Sequence, residues 1–208
     1  FDFSHNAALT ADQLEAVEKQ VNDDIAADLP VHTGYAPQED ALKINGLRAV
    51  FGEKYPPTVR VVSIGASVED LLAAPDNERW AKLSIEFCGG THLKKTGDAE
   101  GFVILSQDAV SKGVRRITAV TGAAAHKASA QGEALLHRVE SLKDAPMQEL
   151  ETHIDEVNQA VNASPIPLVL KQKIQSGVAD LSQRVNEYAK AEGSKQEQVV
   201  VESAREIA

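Results

Sequence analysis

The sequence predicts an α+β fold, in which a sheet with packed helices is followed by an antiparallel helical hairpin. Aromatic residues are concentrated in the first part of the chain, where Trp80, all five Phe and two of the three Tyr precede residue 122. Four β-rich runs lie in the same part. From Gly122 to Tyr188 these runs give way to apolar residues spaced by three or four, which is typical of amphipathic helices.

The first predicted element is a helix from about residue 11 to residue 29. Thr10 and Gln13 have the spacing of a capping box, in which each side chain accepts a hydrogen bond from the other residue's backbone N–H. Apolar residues then recur at helical spacing, at Leu14, Val17, Val21, Ile25 and Leu29. We therefore expect one amphipathic helix near the start of the chain.

The β-rich runs predict four strands, at residues 59–65, 80–87, 101–107 and 114–122. The last run is closed by Gly122. A short helix over 67–74, capped by Ser67 and stopped by Pro75, lies between the first two strands. Because helices and strands are interspersed, one sheet packed by helices is the economical arrangement.

Two apolar series predict the helical hairpin. The first series is Met147, Leu150, Ile154, Val157 and Val161, and the second is Leu170, Ile174, Val178, Leu181, Val185 and Tyr188. Between them, residues 162–167 contain two prolines, which should stop the first helix and let the chain turn back. The two helices are expected to pack on each other as a spacer or arm.

Length, charge and cysteine content limit the classes of protein. The 208 residues suit one domain, or one domain with an appendage. The formal net charge of −10 argues against indiscriminate nucleic-acid binding, so a nucleic-acid partner would need a local basic patch. No apolar run approaches the roughly 20 residues that cross a bilayer, so we expect no membrane contact and a cytoplasmic location. A single cysteine, Cys88, fits a reducing compartment.

The segment Cys88-Gly89-Gly90-Thr91-His92 is the main candidate for chemistry. Thiolate and imidazole are good zinc ligands, and the two glycines allow a tight backbone that would direct both toward one ion. The pair supplies only two of the three protein ligands that catalytic zinc usually has. Two other interpretations stay open. One is a buried cysteine with an unrelated histidine, and the other is a cysteine protease, although its local signatures are absent.

The remaining histidines are less informative. His5 and His32 lie in the globular part, where each is either structural or close to the site. His126, His137 and His153 fall on predicted helices, and a solvated helix face is the ordinary position for such side chains.

Three blocks of sequence carry a family resemblance. The string SIEFCGGTHLKKTGDAEGFVIL, the string KGVRRITAVTG after it and FDFSH at the amino end resemble the editing domain of alanyl-tRNA synthetases and of free-standing relatives that hydrolyse misacylated tRNA. The resemblance runs from residue 1 to about residue 125. Residues 126–208 are similar only in character to the helical segment that leads toward the C-terminal domain of that family. Since the chain also begins without Met, we expect an internal fragment.

The resemblance implies a zinc-dependent hydrolysis of seryl- or glycyl-tRNA. In the family, zinc is held by an H-x3-H pair together with the Cys and His of a later C-x3-H pair, and Cys88 and His92 match the second pair. No H-x3-H occurs among the six histidines, so weak or absent zinc binding and an inactive isolated chain are expected. The resemblance assigns no general acid or base to this chain. The ATP-dependent attachment of alanine to tRNA would reside in an aminoacylation domain outside it.

Basic residues near the motif are the candidates for tRNA contact. Residues 82–116 contain six basic residues against four acidic ones, although the whole chain is acidic. Lys94 and Lys95 follow His92 directly and could meet the phosphates of the acceptor end, whereas strand alternation would send Arg115 and Arg116 to opposite faces of a sheet. The alternative is a solvated edge whose arginines form ordinary surface ion pairs.

A second functional hypothesis belongs to another class. In it the β-rich part is a non-catalytic scaffold, and the hairpin serves spacing or self-association. That hypothesis expects no dependence on metal, and a self-association that depends on Leu181 and Val185.

Overall fold

The computed structural model describes residues 1–50 and 52–206, and describes side chains as far as residue 195. Residues 207 and 208, which end the region expected to be helical, lie outside the described part. The strands are β1 (Asp2–Ser4), β2 (Val31–Pro37), β3 (Thr58–Ile64), β4 (Ile85–Phe87), β5 (Phe102–Ser111) and β6 (Val114–Thr121). The α-helices are α1 (Ala11–Ala26), α2 (Gln38–Ala41), α3 (Val68–Ala73), α4 (Gly122–Ser141), α5 (Met147–Ala163) and α6 (Leu168–Glu206). The α+β fold class is confirmed.

The chain divides into two compact units. The first contains Phe1–Glu15, Val103–Val120 and the chain from Ala124 onward, and the second contains Ala16–Phe102 and Thr121–Ala123. Instead of the one sheet expected from the sequence, the described residues form two three-stranded sheets, of order β1-β6-β5 and β2-β3-β4.

The sheet β2-β3-β4 of the second unit uses its two faces differently. One face is buried against α3, where Val61 and Ile85 are fully inaccessible and pack with Leu71. The other face carries the residues one position along each strand, because successive side chains of a strand point to opposite faces. Cross-strand register aligns Val62 with Glu86 there, and Tyr35 with Arg60.

The strand β2 was missed in the sequence, where Gly34 and Pro37 obscure it. It pairs with β3 along its whole length, from Val31 opposite Ile64 to Pro37 opposite Thr58. Gly34 is needed for packing, because a Cβ there would lie 3.0 Å from the Cβ of Val68 on α3. Long-range packing, rather than local strand propensity, therefore selects the residue at this position.

The strand predicted at 80–87 is wrong over its first half. Residues Glu78–Lys82 form a 3-10 helix, and only Ile85–Phe87 pair with β3. The Asn77 side chain accepts a hydrogen bond from the Arg79 backbone N–H at 3.0 Å, and Trp80 Nε1 donates to the Ala74 carbonyl at 2.8 Å. These bonds fold the segment back on the end of α3, so it cannot extend.

The capping box at the start of α1 is confirmed. The Thr10 backbone N–H donates to Gln13 Oε1 at 2.9 Å, and the Gln13 backbone N–H donates to Thr10 Oγ1 at 3.3 Å. The helix ends at Ala26, three residues before the expected end. At α3 the expected cap is also present, since Ser67 Oγ accepts from the Asp70 backbone N–H at 3.1 Å.

The helical hairpin is present in the first unit, but it does not pack only on itself. Helices α5 and α6 bury the two predicted apolar series against each other, with Leu150, Val157 and Ile174 inaccessible to solvent. The end of α4 joins the same core through Val139, beside which Gly177 fits because a Cβ there would stand 2.7 Å from the Val139 side chain. The core therefore has three helices rather than two.

The helices of the described residues include none that is both long enough and apolar enough to pass through a bilayer.

Candidate functional site

The candidate site lies where β4 ends, on the sheet face opposite the core. Glu86 is the middle residue of β4, and Cys88 follows two positions later on the same side. The Cys88 backbone N–H donates to the Arg60 carbonyl at 3.2 Å, which continues the β3–β4 pairing by one residue. The thiol is thereby fixed at the edge of a rigid sheet rather than on a free loop.

The structure brings Cys88 and His92 together, as the sequence led us to expect. Cys88 Sγ and His92 Nε2 are 3.2 Å apart. Glu86 adds a carboxylate, and one ligand atom from each of the three residues lies within 4.8 Å of the others. This is the one group of three such ligands among the residues that the structure describes.

This arrangement fits zinc by its donor set and its spacing. Two ligands on a tetrahedral zinc, at the usual Zn–S and Zn–N bond lengths, have donor atoms about 3.5 Å apart. The observed Sγ to Nε2 separation of 3.2 Å is close to that value. Cys88 and Glu86 are half-buried and His92 is exposed, so the group is open to solvent on the histidine side.

Arg60 holds the loop that connects Cys88 to His92. Its Nη1 donates to the Cys88 carbonyl at 2.9 Å and to the Gly90 carbonyl at 2.6 Å. In the described part of the chain neither carbonyl accepts a hydrogen bond from a strand, so a charged donor takes over where the β3–β4 pairing ends at Cys88. No local pattern could have indicated this role, because Arg60 is 28 residues away from Cys88.

The glycines of the loop are not required by strain. The positive φ angles of the described glycines occur elsewhere, at Gly46, Gly52, Gly65, Gly113 and Gly122. A Cβ on Gly89 would meet nothing within 4 Å, and one on Gly90 would lie 3.6 Å from Cys88 Sγ. The loop therefore does not need glycine for a tight backbone, contrary to our expectation. The two glycines instead leave open space beside the thiol.

A first cavity, of about 390 Å³, adjoins Glu86 and His92. Most of its accessible wall is apolar, from residues such as Val62 of the sheet, Ile25 of α1 and Phe102, and Asp24 and Lys95 also line it. Glu86 is thus a carboxylate at the boundary between the ligand group and an apolar chamber.

The four basic residues proposed for tRNA contact differ in their surroundings. Lys94 is exposed and makes no ion pair with another described residue. Lys95 Nζ lies 2.8 Å from Asp28 Oδ2, and the hydrogen bond from Lys95 to that carboxylate raises the lysine pKa. Of Lys94 and Lys95, Lys94 is therefore the one whose charge is not paired with another described residue.

Arg115 and Arg116 belong to β6 in the first unit. Arg116 makes two hydrogen bonds to the carboxylate of Asp2, at 2.6 and 2.7 Å, and this pairing raises the arginine pKa. Arg115 lies opposite Phe3, one register position away, and its buried Nε has no hydrogen-bond partner among the described residues. The two side chains take opposite faces of the strand, as alternation requires.

The other histidines lie outside the ligand group. His32 lies opposite Ser63, on the core face of the sheet, and His5 Nδ1 makes a 2.7 Å hydrogen bond with the Ala7 carbonyl. His126 and His137 are exposed on α4, and His153 is half-buried on α5 beside Glu156. Sequence reasoning missed Glu86, although strand period would have found it two positions before Cys88.

One part of the chain matches a family model. Residues 59–118, which contain all but the first residue of β3, the whole of β4 and the Cys88–His92 segment, match the family described as the threonyl and alanyl tRNA synthetase second additional domain.

Comparison with individual proteins extends over most of the chain. It is 41% identical over 192 residues to the mitochondrial alanine–tRNA ligase of Saccharomyces cerevisiae, covering 92% of this chain and 19% of that protein. It is 54% identical over 128 residues to the cytoplasmic alanine–tRNA ligase of Dictyostelium discoideum, covering 62% and 14%. It is 34% identical over 215 residues to the cytoplasmic alanine–tRNA ligase of Drosophila melanogaster, covering 100% and 22%. The chain thus spans between 14% and 22% of the length of these three relatives.

Proposed function

We propose that this chain, which belongs to the alanine–tRNA ligase family and matches a segment of its members, supplies part of a zinc site. That site hydrolyses the ester bond of tRNA carrying serine or glycine. The observation that carries the proposal is the 3.2 Å approach of Cys88 Sγ to His92 Nε2, with the Glu86 carboxylate beside them. In this proposal residues 1–125 are part of the editing domain. Residues 126–208 form the helical segment toward the C-terminal domain.

A second, hydrolytic site answers a limit on recognition by size. A pocket shaped for alanine discriminates against glycine by about 1–3 kcal/mol only, and an apolar pocket rejects an added hydroxyl poorly. Mischarged tRNA would therefore be made at an appreciable rate and has to be removed afterwards. The aminoacylation itself, with its ATP, is assigned to parts of the protein outside this chain.

The residues of the chain have separate roles in this proposal. Cys88 and His92 hold the metal, which when bound would polarise the ester or lower the pKa of a water molecule. Arg60 fixes the carbonyls of the loop between them and so keeps the two ligands at their spacing. The loop residues Gly89, Gly90 and Thr91 are exposed and leave space next to the thiol.

The partner in this proposal is mischarged tRNA specific for alanine, bound by its acceptor end. Lys94, which has no ion-pair partner in the described part of the chain, is the best of the proposed phosphate contacts. Lys95, Arg115 and Arg116 remain part of the proposal. To contact a phosphate, Lys95 must first leave Asp28, and Arg116 must first leave Asp2. A cytoplasmic location stays a proposal, since named relatives include both cytoplasmic and mitochondrial proteins.

Zinc per chain by elemental analysis tests the proposal. It is measured on this chain and on a version extended at its amino end to include the H-x3-H pair that the resemblance implies. We expect about one equivalent in the extended version, loss of that zinc in Cys88→Ala and in His92→Ala, and the same loss of seryl-tRNA hydrolysis in both variants.

The matched control is His126→Ala, which removes an exposed histidine of α4 and should change neither quantity. An extended protein that binds no zinc, or whose hydrolysis survives Cys88→Ala, would disprove a metal role for this segment.

Self-association through the hairpin remains the second candidate, but the residues first chosen to test it are unsuitable. Leu181 is 2% exposed and lies in the core between the helices, so its replacement would disturb folding before it disturbed association. Tyr188, which is 41% exposed on α6, is the better position. Sedimentation of Tyr188→Glu against the unchanged chain decides the matter, and equal masses would count against association at this face.

A further inference from the structure

A second cavity adjoins the ligand group from the other side. It has a volume of about 310 Å³ and contacts Cys88 and Gly89, whereas the first cavity contacts Glu86 and His92. The thiol and imidazole therefore lie between two chambers of the same unit. An ester held at these ligands has two chemically different ends, and each chamber can take one of them.

The second cavity is built from aromatic residues. Tyr35, Tyr55 and Phe87 contribute rings to its wall, and Tyr55 and Phe87 pack edge to face with centroids 5.0 Å apart. The Tyr55 hydroxyl accepts from the Val50 backbone N–H at 2.9 Å and so fixes that ring. The rings of Tyr55 and Phe87 are therefore held in place before any ligand arrives.

Tyr35 is the unusual member of this wall. Its side chain is 74% exposed, and it makes no hydrogen bond to another residue in the described part of the chain. It lies directly across from Arg60, on the sheet face that carries Cys88. A large ring that is left exposed beside a functional group, rather than packed in the core, is a common feature of stacking surfaces for bases.

We propose that this second cavity binds the terminal adenosine of the tRNA, with its base stacked on Tyr35. The inference rests on the proposed function, because it takes the substrate to be an aminoacyl ester. The amino acid is joined to a ribose hydroxyl, and the base is joined to the same ribose, so the base must lie one sugar ring away from the ester. The aromatic chamber borders Cys88 itself, so it adjoins the place where the ester would be held.

The two ends of the substrate match the two chambers in their chemistry. The base presents a π face, which suits the rings of the second cavity, and every base can stack on an aromatic ring. The aminoacyl end carries a positive ammonium group, which suits the first cavity, where Glu86 supplies a negative charge. Arg60 also lines the second cavity, and its positive charge suits the phosphodiester that is joined to the same ribose.

The experiment uses two stable probes with the zinc-loaded form of the amino-terminally extended protein, in which all the variants below are made. The first is adenosine with serine joined to its 3′ position by an amide, and the second is the same compound with hydrogen in place of adenine. The affinity of each probe is measured by NMR titration for the unchanged chain, Tyr35→Ala and Tyr35→Phe. Tyr188→Ala is the matched control, because it removes another exposed tyrosine, from α6.

We expect the probe with adenine to bind about five- to 150-fold more tightly than the probe without it, which is the range of one stacked base. Tyr35→Ala should abolish this preference, Tyr35→Phe should keep it, and Tyr188→Ala should leave it unchanged. The affinities of the two probes for the unchanged protein and for Tyr35→Ala form a double-mutant cycle. The cycle separates the contact between the ring and the base from general effects of the substitution.

Three results would overturn the proposal: equal affinities of the two probes, an equal weakening of both by Tyr35→Ala, or no binding of either probe at millimolar concentration. The proposed hydrolytic function fails separately. It falls if zinc and hydrolysis do not depend on Cys88, even where Tyr35 still distinguishes the probes. Conversely, if Cys88→Ala loses zinc but the Tyr35 variants keep the preference for the adenine probe, the hydrolytic site is supported and this base pocket is not.

Discussion

The two three-stranded sheets of the chain treat their polar residues in opposite ways. In β1-β6-β5, the Arg116 guanidinium binds both carboxylate oxygens of Asp2 on the neighbouring strand. In β2-β3-β4, Glu86, Cys88 and His92 come within 4.8 Å of one another. No lysine or arginine of the described residues forms an ion pair with Glu86. The first sheet therefore pairs Arg116 with Asp2 internally, while the second collects electron-pair donors that an external cation would satisfy.

This difference separates a residue that stabilises a fold from a residue kept for chemistry. Strand pairing between Asp2 and Arg116 is consistent with every local rule for opposite charges across a sheet. A group of three potential ligands without a counterion is not consistent with such rules. Departures from local consistency tend to mark functional sites. Within β4 the contrast is between neighbours, since Ile85 faces the core and Glu86 faces the ligand group. The predictions below test that division.

The largest effect is expected from Ile85→Ala. Ile85 is fully inaccessible in the core of the sheet, so removing most of its side chain leaves a cavity and should lower the free energy of unfolding by about 2–5 kcal/mol. Urea denaturation measures it. Ile85→Val, which removes one methylene, is the control and should cost about 0.5–1.5 kcal/mol. A loss for Ile85→Ala no larger than that of the control would mean that this face of β4 is not the core.

Glu86→Gln, one residue further along, should do the reverse. The substitution keeps the shape of a half-buried side chain but removes its charge, so the free energy of unfolding should change by less than about 0.5 kcal/mol. Zinc affinity of the extended protein should fall by about 10- to 100-fold, as for other groups that support a metal site. Competition with a chelator measures it. Unchanged affinity in Glu86→Gln, together with loss in Cys88→Ala, would remove Glu86 from the site.

Features that depend on a few neighbouring residues could be predicted from the sequence, whereas the pairing of strands could not. The capping box of Thr10 and Gln13, the cap at Ser67 and both helices of the hairpin follow from spacing over a few residues, and all are present. The pairing of β2 with β3, and the division into two sheets, depend on contacts between distant segments.

The same rule applies to the candidate site. Cys88 and His92 are four residues apart, so the motif brought them together in the sequence as well as in the structure. Tyr35 and Arg60 reach the site from other strands and carry no motif of their own. Their positions follow from the register of β2, β3 and β4, which no local pattern encodes.

Arg60→Met should have an intermediate effect, because it removes two hydrogen bonds from a charged donor while keeping an apolar stem. We expect a loss of about 1–2 kcal/mol in the free energy of unfolding, less than two fully buried charged bonds would give, since the Gly90 acceptor is exposed. Zinc affinity should fall with it, because the ligand loop loses its anchor.

Arg79→Met is the matched control for Arg60, because Arg79 is an exposed arginine of the same unit whose side chain makes no ion pair with another described residue. It should alter neither stability nor zinc affinity. If Arg60→Met lowers stability but leaves zinc affinity at its original value, Arg60 is a structural residue that does not position the ligands.

The smallest effect is expected in the other sheet, from Asp2→Asn. The hydrogen bond from Arg116, and then the charge of Arg116, lower the pKa of the Asp2 carboxyl below its ordinary value. A carboxyl whose pKa is lower in the folded state contributes stability above its unfolded pKa, and loses it as the pH falls through the folded pKa. The melting temperature of Asp2→Asn should therefore lie slightly below that of the unchanged chain at neutral pH, and the difference should vanish on acidification.

Added salt should also reduce the difference in melting temperature, because the pair is exposed. Thermal melts of both proteins from pH 7 downward measure it, and a difference that grows as the pH falls would show that Asp2 does not owe its contribution to the ionised pair with Arg116.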